Sequence, residues 1–333
     1  MSDPSVTIVI MTTGVAQRRG VEVLAVVLVV ALGLRVLGVD PLVTPQLRVG
    51  ATVFVAVVVQ ALPFLVLGVL LSGVLTAYVS PAALRWVLPA RTGAAVPVAV
   101  AAGVALPGCE CASVPVARRL VGRGVPDAVA LAFLLAAPAV NPIVLVATAV
   151  AFPGAPEMVA ARFLGSFLTA SVVGWVWARA GRAEWMAERV RRVPAAGAGP
   201  RWRVAAATAR HDLVDAGGFL VLGGLVAAVL TTVVPERWVA GLGEQVVLAV
   251  LVMAVLAVVM SLCSEGDAFV AASLSALPLL PRLVFLVVGP AVDLKLIALQ
   301  AGTFGRGFAA RFAPLTFVVA VLCGVGAGLV VGL

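Results

Sequence analysis

Residues 93–122 read GAAVPVAVAAGVALPGCECASVPVARRLVG, an apolar run interrupted in its middle by Leu106-Pro107-Gly108-Cys109-Glu110-Cys111. Proline removes a backbone donor and collides with the preceding helical turn, and glycine adopts backbone conformations that a helix interior does not use. The break leaves two arms of about 14 residues, each rising roughly 21 Å, short of a bilayer core about 30 Å thick. Two shapes satisfy these lengths: one long, broken and tilted helix, or a re-entrant hairpin with its tip near mid-membrane. Segment 245–276, broken around Leu262-Cys263-Ser264-Glu265-Gly266-Asp267, poses the same choice.

The rest of the chain makes a membrane the natural solvent. Its 333 residues are 63% hydrophobic and 11% charged, against about 45–50% and about 25% in ordinary soluble domains. A soluble fold needs more polar surface than this, so lipid must cover part of it. Further apolar segments fall at 21–39, 50–79, 126–151, 158–178, 212–234, 282–300 and 308–332. Helices are the expected element, because an open sheet would leave backbone groups unpaired in hydrocarbon. Segment 21–39 lacks a small-residue cleavage site with a polar sequel and reads as a retained span. The net charge of +8 is not interleaved with aromatic residues, which argues against nucleic acid and for anionic lipid headgroups as the counter-surface. Cys109, Cys111, Cys263 and Cys323 lie in or beside apolar segments and read as free thiols rather than a disulfide scaffold.

Internal repetition organises the segments. Phe64-Leu65-Val66-Leu67-Gly68 recurs as Phe219-Leu220-Val221-Leu222-Gly223, an offset of 155 that also places Glu110 on Glu265. Pro138-Ala139-Val140-Asn141 recurs as Pro290-Ala291-Val292-Asp293 at offset 152, and Ala161-Arg162-Phe163 as Ala310-Arg311-Phe312 at offset 149. Four matches in one order argue for duplication of a unit of roughly 120 residues.

Charge then orients the unit. Arg179 to Arg210 contains eight arginines, whereas 152–157 and 235–244 hold Glu157, Glu236 and Glu244 against Arg237 alone. The arginine-rich stretch is therefore read as cytoplasmic. Arg18/Arg19, Arg85/Arg91 and Arg118/Arg119/Arg123 share its face only if both broken segments dip in and return. The expected architecture is all-α and polytopic: seven crossings, two re-entrant hairpins, and two repeats that are inverted because each holds three crossings. The expected organisation is an N-terminal region with the first transmembrane helix (1–49), a first membrane repeat (50–178), a cytoplasmic linker (179–210) and a second membrane repeat (211–333). The expected location is the inner, cytoplasmic cell membrane, as a multi-pass protein.

Ionisable residues at membrane depth are costly and usually line a protein-enclosed or water-filled path. That makes Glu110, Glu265, Asp267, Asp293 and Lys295 functional candidates. If the two broken segments meet, Cys109, Cys111 and Cys263 join those carboxylates, and such thiols suit a trivalent metalloid or a soft metal. Alternate residues on a helix point about 200° apart, so Cys109 and Cys111 act together only where the backbone is non-helical, as Gly108 permits. The competing reading makes the cysteines small packing residues and the glutamates caps of half-helices. Asn141 and Asp293 follow proline breaks that free backbone carbonyls and either complete a polar site or make one local hydrogen bond at a kink. His211, the lone histidine, reads as an interfacial residue. With no HExxH, HxE or Walker lysine, neither enzymatic activity nor a cofactor is expected.

These residues also resemble a family. Phe64 to Gly68, Cys109-Glu110-Cys111 followed by Val114-Pro115-Val116 and Arg118-Arg119-Leu120, Ala136-Ala137-Pro138 to Asn141-Pro142, and Ser261-Leu262-Cys263-Ser264-Glu265 to Asp267-Ala268-Phe269 look like the predicted permeases of the DUF318/UPF0718 group. That group includes the ArsP organoarsenical efflux permeases, and this chain resembles a Cys-Glu-Cys branch of it. The resemblance covers about residues 50–320 and implies a membrane permease. For the arsenical branch it implies recognition of trivalent organoarsenicals by thiols, here Cys109, Cys111 and Cys263. Partners are then the bilayer, a small solute and coupling protons. The readings set against this are a soft-metal ion transporter and a non-transporting membrane accessory protein.

Overall fold

The computed structural model describes residues 45–78, 89, 91–104, 110–186, 190, 200–233, 245–264, 266–275 and 277–333. The expected first transmembrane helix at 21–39, together with Cys109 and Glu265, lies outside the described residues.

The described part is helical throughout, apart from connections. A long helix α1 (Pro45–Tyr78) is followed by α2 (Thr92–Gly103), α3 (Glu110–Gly122), α4 (Asp127–Ala136), α5 (Pro142–Ala151) and α6 (Pro156–Ala180). After a short 3₁₀ turn at Ala183–Trp185, a second long helix α7 (Arg201–Val233) leads to α8 (Val246–Met260) and α9 (Asp267–Ser273). The chain ends with α10 (Leu279–Ala291), α11 (Leu294–Thr303) and α12 (Arg306–Val331). α7 begins at Arg201, so Arg201, Arg203 and Arg210 of the arginine-rich stretch are helical.

By length and composition, Pro156–Ala180, Leu279–Thr303 and Arg306–Val331 can each cross a membrane. The outward faces of α12 and of the shorter apolar helix α8 carry exposed aliphatic side chains: Val330 is 78% exposed, and Val247 is 76% exposed. In water such surfaces would be unfavourable; against acyl chains they need no polar cover.

Both interruptions read from the sequence are present. α2 ends at Gly103 and α3 starts at Glu110, while α8 ends at Met260 and α9 starts at Asp267. The second break is imposed at Ser261, a non-glycine residue in the left-handed conformation with φ 47° and ψ 42°. Two further breaks follow the prolines. Asn141 ends the α4 turn with extended backbone and caps α5, accepting a 3.0 Å hydrogen bond from the Val144 amide. Asp293 does the same for α11 through the Leu296 amide at 2.5 Å. Helix starts leave amides without intrahelical partners, and these side chains supply acceptors.

The long helices α1 and α7 pack side by side, and α6 packs along α12. Small residues allow the close approaches. A Cβ on Gly68 would overlap the backbone of Ala112 on α3, and one on Gly73 would lie 2.5 Å from the Ala205 carbonyl oxygen on α7. The core falls into two clusters. One draws mainly on the first half of the chain but takes in Leu296, Leu299, Phe304, Phe308 and Phe312. The other draws mainly on the second half but takes in Phe152, Met158 and Ala161. Each half therefore lends a segment to the other's core: α3 packs on α11, and α9 packs on α5.

The α1–α3 contact yields a prediction. Substituting Gly68→Val forces α3 away from α1, and G68V is expected to lose about 1–3 kcal/mol of unfolding free energy, read as a lower unfolding midpoint of the purified protein in nanodiscs.

Candidate functional site

Among the described residues, three buried ion pairs join the two halves, and two of them contain residues singled out in the sequence. The first is built where α3 begins. Glu110 is fully buried, and its Oε1 accepts from the Lys295 ammonium on α11. Asp293, also fully buried, places Oδ2 3.6 Å from the same nitrogen. The Ser261 carbonyl oxygen lies 3.5 Å from it as well. Lys295, itself 1% exposed, is thus held by two carboxylates and a backbone oxygen.

Ser261 fixes this arrangement from behind. Its hydroxyl donates to the Val258 carbonyl at 3.1 Å and accepts from the Leu294 amide at 3.1 Å. The strained turn that ends α8 is thereby tied to the first turn of α11, the turn that carries Lys295. A left-handed conformation is unfavourable for a residue with a Cβ and persists only where surrounding contacts enforce it.

The second pair surrounds Arg162, which sits in the second turn of α6 and is fully buried. Its Nη2 donates to Asp267 Oδ1 at 2.9 Å, to Asp267 Oδ2 at 3.0 Å and to the Ser264 carbonyl at 2.9 Å. Its Nη1 donates to Thr148 Oγ1 at 2.8 Å on α5. A first-half guanidinium therefore closes the break of the second half.

The third pair holds the other end of α3. Arg119 donates to Asp212 of α7 through Nη2 at 2.7 Å and Nε at 3.2 Å, and Ser72 of α1 donates to the same carboxylate at 2.7 Å. α3 is consequently clamped at both ends to the second half, by Lys295 at its N-terminus and by Asp212 near its C-terminus.

Of the candidates read from the sequence, Glu110 and Asp293 converge on Lys295, while Asp267 is directed to Arg162. Asn141 caps α5 and donates to the Ala137 carbonyl at 3.0 Å. Cys263 is 5% exposed in the α8–α9 connection, where its carbonyl accepts from the Gly266 and Asp267 amides. Cys111 lies in the first turn of α3. Arg162, Asp212 and Ser261 were missed as site residues. Arg162 had served only as a repeat marker, and its counterpart Arg311 stacks instead on Trp185, 5.0 Å from the ring centroid. A lone arginine inside an apolar segment was the available signal.

A family described as predicted permeases (ArsP_1) matches residues 46–329. The chain belongs to this permease family. A Streptococcus mutans relative assigned as a two-component membrane permease complex subunit is 32% identical over 276 residues, covering 81% of this chain and 92% of its own. The UPF0718 protein YcgR of Bacillus subtilis is 32% identical over 280 residues, covering 81% and 93%. No solved structure matches. Membership makes the chain a multi-span membrane protein with a transport role rather than an enzyme. Among the described residues, no group of three His, Cys, Asp or Glu side chains could hold a metal ion.

The Arg162 site gives a prediction of its own. R162M leaves Asp267 buried without its cation and is expected to cost about 3–5 kcal/mol. The double variant R162M/D267L removes both charges and is expected to recover most of that loss. Equilibrium unfolding of the purified proteins in mixed micelles measures both.

Proposed function

We propose that this permease is a secondary transporter that moves a small solute through the junction of two inverted repeats. The observation that carries the reading is the exchange of elements: α3 of the first half lies against α11 of the second, α9 of the second against α5 of the first. The order of elements in the halves supports duplication, since α1 to α6 and α7 to α12 follow the same sequence of long, interrupted, short and long helices. In this reading the interrupted segments α2–α3 and α8–α9 are re-entrant hairpins, and rocking of one repeat on the other alternates access.

Cys109, Cys111 and Cys263 contact the solute, and a trivalent organoarsenical or another thiophilic species is the class such sulfurs select. Glu110, Glu265, Asp267, Asp293 and Asn141 complete the polar lining, with Glu110, Glu265 or Asp293 passing the coupling protons. The arginine-rich stretch 179–210 faces the cytoplasm between membrane repeats at 50–178 and 211–333, in the cytoplasmic membrane. The name of the Streptococcus relative supports a second subunit as a partner.

The test uses the full chain in sealed vesicles with phenylarsine oxide as the probe solute. An imposed pH gradient is expected to drive its flux, and the triple variant C109S/C111S/C263S is expected to lose both that flux and retention of the probe on the reduced protein. Flux indifferent to the pH gradient overturns the coupling; retention unchanged in the triple variant overturns the thiol site. Reporter fusions at 88, 121, 195 and 240 test the topology, with the first three cytoplasmic and the last external.

A further inference from the structure

The ion pairs differ in how their charges balance. Among the described residues, Asp267 pairs with the Arg162 guanidinium, and Asp212 pairs with Arg119, with Arg118 at 3.9 Å. At the start of α3, by contrast, two fully buried carboxylates share one ammonium. One oxygen of each, Glu110 Oε2 and Asp293 Oδ2, accepts no hydrogen bond among the described residues. Both carboxyl groups approach the same nitrogen, and the Ser261 carbonyl oxygen lies 3.5 Å from it.

An unneutralised charge in a protein interior costs several kcal/mol, and an unpaired carboxylate oxygen there loses its hydration without replacement. From this we infer that Glu110, Asp293 and Lys295 form a two-cation site: Lys295 is a tethered resident cation, and the remaining unit of negative charge binds one small monovalent cation, a proton or a sodium ion. The inference deepens the transport reading and rests on it for the cation's use in coupling, whereas the binding itself follows from the charges.

The geometry gives the tethered cation a purpose. Lys295 and Asp293 stand two residues apart on the second half, and Glu110 belongs to the first. When the halves separate, Lys295 leaves Glu110 and keeps Asp293, its neighbour on the same element. The carboxylate left behind then needs the mobile cation. In the joined state Lys295 serves Glu110, and the mobile cation serves Asp293. Movement between halves is thereby linked to transfer of one positive charge from one carboxylate to the other, while the buried total stays balanced.

Among the described side chains of the elements packed against α3 and α11, the other charged groups are Arg48 on α1, Asp127 on α4, Arg201, Arg203, Arg210 and Asp212 on α7, and Arg306 and Arg311 on α12, of which Arg48, Arg201, Arg203 and Arg210 are exposed. Asp212 on α7 is bound by Arg119, Asp127 opens α4, and Arg311 on α12 donates to the Gly307 carbonyl and stacks on Trp185. Arg306 opens α12.

The test requires no transported solute. The full chain in nanodiscs is unfolded thermally across a hundredfold range of sodium at fixed pH, with choline keeping ionic strength constant, and then across a range of pH without sodium. The wild-type midpoint is expected to rise with sodium if sodium is the ligand, or with falling pH alone if it is the proton. E110Q and D293N each leave one carboxylate with Lys295, so the dependence is expected to vanish in both. E110Q/K295Q restores one uncompensated carboxylate and is expected to restore the dependence. A wild-type midpoint indifferent to both ions overturns the inference, as does a dependence that survives in both E110Q and D293N. Because the readout is binding, its failure leaves the transport reading standing. Vesicles in which the ion dependence persists but no gradient drives flux would overturn that reading instead.

Discussion

An ionised side chain removed from water must bring its counter-charge with it, and in this permease that requirement decides which helices touch. Glu110, Arg119 and Arg162 are each buried in the first half, and each finds its partner in the second: Lys295, Asp212 and Asp267. Removing one partner of such a pair costs about 3–5 kcal/mol, far more than an exposed pair contributes. Apolar packing between leucine- and valine-rich helices discriminates poorly among neighbours, because lipid chains are equally good partners for those side chains. The ion pairs supply the discrimination, and they fix the register in which the halves meet.

The position of the pairs also relates structure to transport. Two of them lie at backbone breaks: Glu110 opens α3, Asp267 opens α9, and Lys295 is in the first turn of α11. Helix N-termini favour negative charge, which lowers the cost of placing Glu110 and Asp267 there. Broken backbone at membrane depth is tolerated where protein encloses it, and the carbonyls of Ser261 and Ser264 are engaged by Lys295 and Arg162. The interruptions are thus where the chain combines freed backbone polarity with side-chain charge, in a protein otherwise almost devoid of either.

Much of this was legible in the sequence, for identifiable reasons. Composition forced lipid exposure, and proline and glycine marked the breaks at 106–111 and 262–267. The recurrence of Pro-Ala-Val before Asn141 and Asp293 predicted equivalent sites, and both residues are helix caps in extended backbone. What the sequence concealed was pairing. Arg162 matches Arg311 by repetition, yet one is buried against Asp267 and the other lies against Trp185. Asp267 has Ala112 at the position matched by the sequence repetition and Lys295 has Ile143, so matched positions carry unlike chemistry. Ser261 entered only through the family motif, and its left-handed turn was not legible because the Leu294 amide that binds its hydroxyl lies 33 residues away.

The ion pair of Lys295 with Glu110 holds the halves in register. A double-mutant cycle on unfolding free energy, using E110Q, K295M and the double variant in mixed micelles, tests it most directly. K295M is expected to cost at least about 1 kcal/mol more when Glu110 is present than when glutamine replaces it, as for directly coupled residues. Additivity of the two substitutions within about 0.5 kcal/mol would contradict it.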